Sequence, residues 1–215
     1  GQMNEPPGAR FGVAMTGITI AESIQRRNQD VLLFVDNIFR FAQAGNELSL
    51  LMNTIPSEDG YQATLSSEIS SIHERLVSTP DADITTIEAI YIPADDLLDQ
   101  AVQTIFAYLD SGIVLSRDIY KEGRFPAVDI VSSSSSALNP DVISTEHYVS
   151  YIKAISMLKK AESLERIVAL VGESELAGDD RLVYQRSKKL RSYMTQSFYV
   201  AESQTGRPGV YVPLK

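Results

Sequence analysis

The sequence predicts an α/β fold with a mostly parallel sheet, followed by an all-α helical domain. Up to about residue 131, short apolar runs typical of strands alternate with segments whose apolar residues recur at helical spacing. Beyond a five-serine run at 132–136, which we interpret as a connector, the spacing is helical throughout. We therefore predict two domains, residues 1–143 and residues 144–215, with the sheet in the first.

Local signals justify the elements in order. Pro6-Pro7 favours a helix start, because proline is tolerated in the first helical turn, and Asn28-Gln29-Asp30 ends the periodic run. Pro56 and Gly60 predict a loop over 54–63. The other predicted elements are strand 31–35, helix 38–52, helix 64–77, strand 84–92, short strands 113–115 and 127–131, a helix through Ile152 to Val171 and a helix through Leu182 to Tyr193.

Composition excludes several classes of function. The formal net charge of −9 argues against a nucleic-acid surface, so we expect no nucleic-acid partner. The absence of cysteine excludes disulfides and thiolate metal sites. No apolar run approaches the roughly 20 residues needed to cross a bilayer. His73 and His147 have no cysteine or carboxylate at ligand spacing beside them, and we interpret both as structural.

The block at 31–40, Val-Leu-Leu-Phe-Val-Asp-Asn-Ile-Phe-Arg, is the most informative segment of the chain. A buried strand ending at Asp36 would place that carboxylate in the crevice where open α/β sheets bind ligands. In nucleotide hydrolases such an Asp holds the shell of a magnesium ion, and Arg40 could meet phosphoryl oxygens. An ordinary core strand followed by a helix-capping Asp36 fits these ten residues equally well.

Further blocks occur around this one in a fixed order. They are Gly1-Gln2-Met3-Asn4-Glu5-Pro6-Pro7-Gly8-Ala9-Arg10, Asp36-Asn37-Ile38-Phe39-Arg40-Phe41, Ile55-Pro56-Ser57 with Gly60-Tyr61-Gln62, and Ile90-Tyr91-Ile92-Pro93-Ala94-Asp95-Asp96. With them, the whole chain resembles the catalytic beta subunit of the F-type ATP synthase; the related alpha subunit lacks the first block. The resemblance implies the carboxyl-side half of a RecA-like P-loop NTPase core, followed by the start of the helical domain.

The resemblance also implies an ATP/ADP site with Mg²⁺. Asp36 would belong to the magnesium shell, acting through water, and Asn37 and Arg40 would contact the transferred phosphate. The other implied nucleotide-site residues are Glu5, Tyr91, Asp95, and the adenine-slot aromatics Phe125 and Phe198. All of these except Asp95 have an ordinary alternative: a helix-start hydrogen bond for Asn37, a salt bridge for Arg40, a first-turn helix anion for Glu5, a buried tyrosine for Tyr91 and core packing for the phenylalanines.

The catalytic parts implied by the family are not all present. None of the 12 glycines is followed by Lys, so the phosphate-binding pattern G-x-x-x-x-G-K-[ST] is absent. In the family that loop and the water-activating Glu precede the first block, so we expect a fragment that is inactive alone. A second family aromatic falls at Gln204, which weakens the predicted adenine slot.

The implied partners are alpha-type subunits in an alternating hexameric ring and a gamma-type central shaft that contacts 95–102 and 174–180. A link to the membrane would run only through the rotor sector, at its cytoplasmic face, in a bacterial cytoplasm. The second shaft segment, Ser174-Glu175-Leu176-Ala177-Gly178-Asp179-Asp180, has three acids where the family has five. Two alternatives stay open: a non-catalytic nucleotide-binding scaffold subunit, and an ATPase head that drives a machine without proton transport.

Overall fold

The computed structural model describes residues 1–213, which form two compact units. The first unit is Gly1–Leu109, and the second begins at Asp110. This division falls earlier than the predicted domain boundary between 143 and 144. Among the described residues, no helix is both long enough and apolar enough to span a membrane.

The first unit confirms the predicted alternation of helices and strands. Its elements are α1 (Pro7–Gln25), β1 (Val31–Val35), α2 (Phe39–Leu51), α3 (Leu65–His73), β2 (Ile84–Glu88), a 3₁₀ turn (Pro93–Asp95) and α4 (Gln100–Phe106). β1 and β2 are parallel, in a register that runs from Val31 opposite Ile84 to Val35 opposite Glu88. The carboxyl ends of both strands therefore lie side by side.

β2 is shorter than the predicted strand 84–92. The backbone N–H of Ala89 still bonds to the Val35 carbonyl at 2.9 Å, but that of Tyr91 donates to the side chain of Asn37 at 3.3 Å. Ile90 and Ile92 pack against the helical core rather than beside a strand. The chain leaves the sheet at Glu88 because these side-chain contacts replace strand pairing.

The core of the first unit lies between the helices and one face of the sheet. Its buried members are Ile18, Ile38, Phe39, Phe41, Ala42, Leu65, Ile69, Ile72, Ala101, Val102 and Ile105, with Val35 packed against them. Side chains alternate along a strand, so Leu32 and Phe34 point to the opposite face, where Ile87 lies beside Phe34. More than half of each of these three side chains is exposed. The second face of this parallel sheet is therefore uncovered.

Replacing Ile69 with alanine should strongly destabilise the first unit. Ile69 is fully buried in α3, so truncation removes apolar contacts and leaves a cavity, at a cost of about 2–5 kcal/mol in the free energy of unfolding. Urea denaturation followed by far-ultraviolet circular dichroism measures the change. Ile20→Ala, at an exposed position of α1, is the matched control with an expected change of about 0.5 kcal/mol or less. Equal losses in both variants would contradict this description of the core.

The second unit is mainly helical. Its elements are β3 (Ser111–Gly112), α5 (Arg117–Lys121), β4 (Ser134–Ser135), α6 (Thr145–Val171), a 3₁₀ turn (Glu173–Glu175), α7 (Gly178–Tyr193), a 3₁₀ turn (Tyr199–Ala201) and α8 (Glu202–Thr205). α6 and α7 correspond to the two predicted helices. Leu164, Leu176 and Tyr184 form their shared core.

The two short strands predicted in segment 110–143 were wrong. The strands expected at 113–115 and 127–131 reduce to one antiparallel bridge between Leu115 and Val128. The serine run, interpreted as a connector, also contributes β4, which pairs with β3 in antiparallel fashion. Serine hydroxyls make this possible, because Ser133 Oγ accepts from the backbone N–H of Val114 at 3.0 Å and Ser111 Oγ lies 2.8 Å from Ser135 Oγ. This segment pairs with itself, and it lies in the second unit.

Candidate functional site

Asp36 is the first residue after β1, and its side chain is exposed. The N-cap of α2 is Ile38, and no side chain caps that position. Within residues 1–213 the Asp36 carboxylate takes part in no hydrogen bond or ion pair. The alternative of a helix-capping Asp36 is therefore wrong, and the carboxylate stands open at the carboxyl end of the strand.

Asn37 joins three elements. Its Oδ1 accepts from the backbone N–H of Phe39 at 3.1 Å, at the start of α2. The same oxygen accepts from the backbone N–H of Tyr91 at 3.3 Å, in the segment that follows β2. The helix-start hydrogen bond considered for Asn37 is therefore present. Its contact with a phosphate stays a prediction, for which the amide Nδ2 is the available donor.

Arg40 lies in the first turn of α2 and is half-buried. Its guanidinium group forms no ion pair with any residue that the structure describes. Arg10 shows the contrast: it is buried, its Nη1 donates to Glu47 Oε1 at 3.1 Å, and its Nη2 pairs with Glu47 Oε2. The salt-bridge alternative for Arg40 is therefore wrong, and this cation remains available to an anion.

Asp36, Asn37 and Arg40 line one cavity of about 280 Å³ in the first unit. The fold thus brings together the three residues that the sequence singled out as catalytic. Its other polar lining includes Arg10 and Glu88, which sequence reasoning missed, because no local pattern sets either residue apart. The apolar lining is Val13, Ala14, Ile18, Leu33, Phe34, Val35, Ile38, Phe41, Ile72 and Leu76.

Glu5 does not line this cavity. It precedes α1, whose first turn holds no acidic residue, so the alternative of a first-turn helix anion is wrong. Its Oε2 accepts from the backbone N–H of Gln2 at 2.9 Å, and its carbonyl accepts from Arg10 Nε at 3.0 Å. Arg10 therefore holds the backbone at Glu5 against the helices that border the cavity.

Tyr91 and Asp95 lie after β2, outside the cavity lining. Tyr91 is exposed, so the alternative of a buried tyrosine is wrong. Asp95 is also exposed, at a positive φ of 58° in the 3₁₀ turn. The structure links Tyr91 to the site through its backbone, which donates to Asn37. Nucleotide contacts of both side chains stay predictions.

Phe125 and Phe198, the predicted adenine-slot residues, both lie in the second unit and are about half exposed. The ring of Phe125 meets Tyr120 edge-on at 5.6 Å, an aromatic neighbour that sequence reasoning missed. Phe198 lies beyond the end of α7 at Tyr193 and directly precedes a 3₁₀ turn. No ring contact joins Phe125 to Phe198 in residues 1–213, and the adenine slot stays a prediction.

The two segments predicted to contact a shaft are partly engaged within the chain. Asp99 caps α4, accepting from the backbone N–H of Ala101 and of Val102 at 2.9 and 3.1 Å, and it also accepts from Tyr61 Oη at 2.7 Å. Leu98 beside it is exposed. In the second segment, Asp180 pairs with Lys160 at 2.6 Å. These contacts fix the local conformation of both segments.

Comparisons with known proteins match nearly the whole chain. Residues 1–135 match the family described as ATP synthase alpha/beta family, nucleotide-binding domain. Residues 137–208 match the C-terminal domain of V and A type ATP synthase. The second match indicates the V/A type and does not support the F-type part of the expected resemblance.

A solved structure agrees with these matches. It is described as a unique ATP synthase subunit NeqB from Nanoarcheaum equitans, and it is similar with a TM-score of 0.77 at 25% sequence identity. The similarity covers 93% of this chain and 50% of that chain, so this chain spans about half the length of the archaeal subunit. The RecA-like α/β core followed by a helical domain is thereby confirmed. The chain belongs to the ATP synthase alpha/beta family, whose nucleotide-binding domain it carries in residues 1–135.

Proposed function

We propose that this chain is part of the catalytic, beta-type subunit of a rotary ATP synthase or ATPase, and that it binds Mg²⁺·ATP at the cavity beside β1. One observation carries the proposal. Asp36 and Arg40 line the same cavity at the carboxyl end of a parallel strand, and neither side chain is paired within the described residues. Side chains with a purely structural role would be paired with each other, as Arg10 and Glu47 are.

The donor set fits magnesium bound together with a nucleotide. Residues 1–213 contain no cluster of three or more metal-ligating side chains. Mg²⁺ is usually held by one or two carboxylates together with waters and substrate phosphates, so a single open carboxylate is sufficient. Asp36 would hold the ion through water, and the ion would neutralise charge on the phosphates during transfer. Arg40 would offer its planar donors to the phosphoryl oxygens, and Asn37 Nδ2 would orient them.

The uncovered face of the sheet favours a nucleotide-binding domain that has more elements than residues 1–109. Parallel sheets are normally covered on both faces, whereas Leu32, Phe34 and Ile87 are exposed. The phosphate-binding pattern is also absent from the 215 residues, and the similar archaeal subunit is about twice as long. We infer that further elements of the same nucleotide-binding domain, including the phosphate loop, cover this face in the working subunit.

We also propose which type of subunit this chain belongs to. The blocks in residues 1–96 support a beta-type catalytic subunit, which would alternate with alpha-type subunits in a hexameric ring at the cytoplasmic face of a membrane. The exposed residues of segments 95–102 and 174–180, such as Leu98 and Asp179, would contact its shaft. Whether the lineage is F-type, as these blocks suggest, or V/A type, as residues 137–208 indicate, is decided by the subunits that co-purify with the tagged full-length protein.

Asp36→Asn is expected to weaken Mg²⁺-dependent ATP binding by the complete assembly about 10–100-fold. This is the usual loss when a side chain that holds a metal ion through its bound water is removed. Isothermal titration with ATP, in Mg²⁺ and again in excess chelator, isolates the metal-dependent part of the affinity. Asp81→Asn, at an exposed loop carboxylate that does not line the cavity, is the matched control.

A scaffold subunit would give a different result. Asp36→Asn would then alter nucleotide binding while the steady-state ATP turnover of the assembly stayed at the wild-type rate. Equal metal-dependent affinities in wild type and Asp36→Asn would contradict the magnesium role itself.

A further inference from the structure

A buried histidine–glutamate pair lies beside the cavity and has no role in the proposed function. His73 is the last residue of α3, and Glu88 is the last residue of β2. His73 Nε2 lies 3.2 Å from Glu88 Oε2, and the two side chains are only 6% and 1% exposed. The pair therefore fastens the end of a helix to the end of a strand, out of contact with water.

Hydrogen-bond partners define the protonation of this pair. His73 Nδ1 lies 2.9 Å from the carbonyl oxygen of Ile69, and a carbonyl can only accept, so Nδ1 carries hydrogen. His73 Nε2 faces a carboxyl oxygen, and a hydrogen bond between them requires one further proton. The pair thus holds a single shared proton: without it, a lone pair would face a carboxylate.

The groups around the pair make the shared proton difficult to remove. Glu88 Oε1 is buried and has no hydrogen-bond partner in the described part of the chain, so the carboxylate depends on His73. The ring of Tyr108 stacks on the imidazole, with centroids 5.0 Å apart and planes at 16°. An aromatic face favours a cation above it. Removal of the proton would leave a buried charge without compensation.

These contacts set the direction of the pH dependence. Burial disfavours the charged imidazole, but the hydrogen bonds to Glu88 and to the Ile69 carbonyl outweigh it and raise the pKa of His73 above 6.5. A raised pKa in the folded state stabilises the fold fully below the unfolded value, and this stabilisation is lost as the pH rises through the folded value. The pair therefore weakens on the alkaline side.

The other charged groups on the elements that surround His73 either pair with different residues or belong to the candidate site. Glu22 of α1 pairs with Arg75 at 2.7 Å, and Glu47 of α2 pairs with Arg10. On α3 and its C-cap, the remaining titratable groups are Glu68, bonded to Gln62 and Thr64, and Glu74, bonded to Ser70. Asp36 follows β1, and Arg40 lies in α2. Within residues 1–213, none of these groups hydrogen-bonds the His73 side chain, whereas Glu88 does.

We propose that the proton shared by His73 and Glu88 is a latch that holds α3 to the carboxyl end of β2, and that its release at alkaline pH loosens the wall of the cavity. Glu88 itself lines the cavity, as do Ile72, which precedes His73, and Leu76. In the sheet register Glu88 lies opposite Val35, the residue before Asp36. Opening of the latch therefore acts on the strand end that carries the candidate magnesium carboxylate.

The latch can be tested on the 215-residue chain without any enzymatic activity. A nuclear magnetic resonance titration of the two histidine rings, assigned with His147→Gln, should place the pKa of His73 above the ordinary 6.5. Hydrogen exchange should show α3 amide protection, corrected for the intrinsic rate, falling about tenfold per pH unit between 6.5 and the pKa of His73.

Glu88→Gln is the decisive variant. The amide can still hydrogen-bond a neutral imidazole but offers no negative charge, so the pKa of His73 should fall and the pH dependence of α3 protection should disappear. His147→Gln should retain the wild-type dependence. A wild-type His73 that titrates at or below 6.5 would overturn the proposal, and so would equal pH dependence in wild type and Glu88→Gln. The wild-type titration alone remains decisive if Glu88→Gln does not fold.

Discussion

Arg40→Ala is expected to lower the ATP turnover of the complete assembly about 100-fold or more, the usual cost of removing a donor aimed at developing charge. The physical reason is the state of this side chain. Arg40 is half-buried, lines the cavity beside Asp36 and has no ion-pair partner in residues 1–213. Its charge is therefore available to a phosphoryl group, where charge increases during transfer. Steady-state phosphate release from the purified assembly measures the effect.

The conservative variant sharpens this test. Arg40→Lys retains the charge but replaces the planar donor fork with a compact ammonium group, so it should restore little of the lost turnover. Arg27→Ala removes an exposed arginine that follows α1, and it should leave turnover unchanged. An Arg40→Ala ring that assembles and turns over at the wild-type rate would leave the guanidinium without a catalytic role.

The isolated 215-residue chain is expected to bring about no measurable ATP hydrolysis. It contains no G-x-x-x-x-G-K-[ST] pattern, and the resemblance implies that a transition-state arginine would come from a neighbouring subunit. Each missing part typically contributes orders of magnitude in rate. A phosphate-release assay on pure chain, with heat-denatured chain as the blank and the complete assembly as the positive control, measures the difference.

Turnover by the pure chain of about one per second would lie in the ordinary range of enzymes. Such a rate would show that these residues hold a complete active site, and it would contradict the proposal that the phosphate loop lies outside them. Inhibition by Arg40→Ala would then locate the activity at this cavity.

The elements with a strong local pattern could be predicted from the sequence. The apolar run at 31–35 is the observed β1, and the long periodic segments are α1, α2, α6 and α7. Asp36, Asn37 and Arg40 could also be placed together, because they follow one strand within a single helical turn and so share the strand end. In these cases neighbouring residues carry all the information needed.

The weak strands could not be predicted in the same way. Residues 113–115 and 127–131 contain β-branched residues, but hydroxyl groups of the serine run took over part of their backbone hydrogen bonding. The prediction that β2 extends to residue 92 was wrong, because the N–H of Tyr91 donates to the side chain of Asn37 and not to a neighbouring strand. A short strand is stabilised mainly by the strand that pairs with it, and the neighbouring sequence does not show which strand that is.

The sequence by itself determined the membership of the ATP synthase family, the order α1, β1, α2, α3 and β2, and the three residues that follow β1, whereas residues 137–208 do not support its F-type assignment. Only the tertiary structure decided which charges are paired. Arg10 meets Glu47 across 37 positions, and His73 meets Glu88 across 15, so the histidine interpreted as merely structural acquired a carboxylate partner. Helix and strand periods are set by local backbone geometry, whereas the pairing of buried charges is set by which distant surfaces pack together and exclude water.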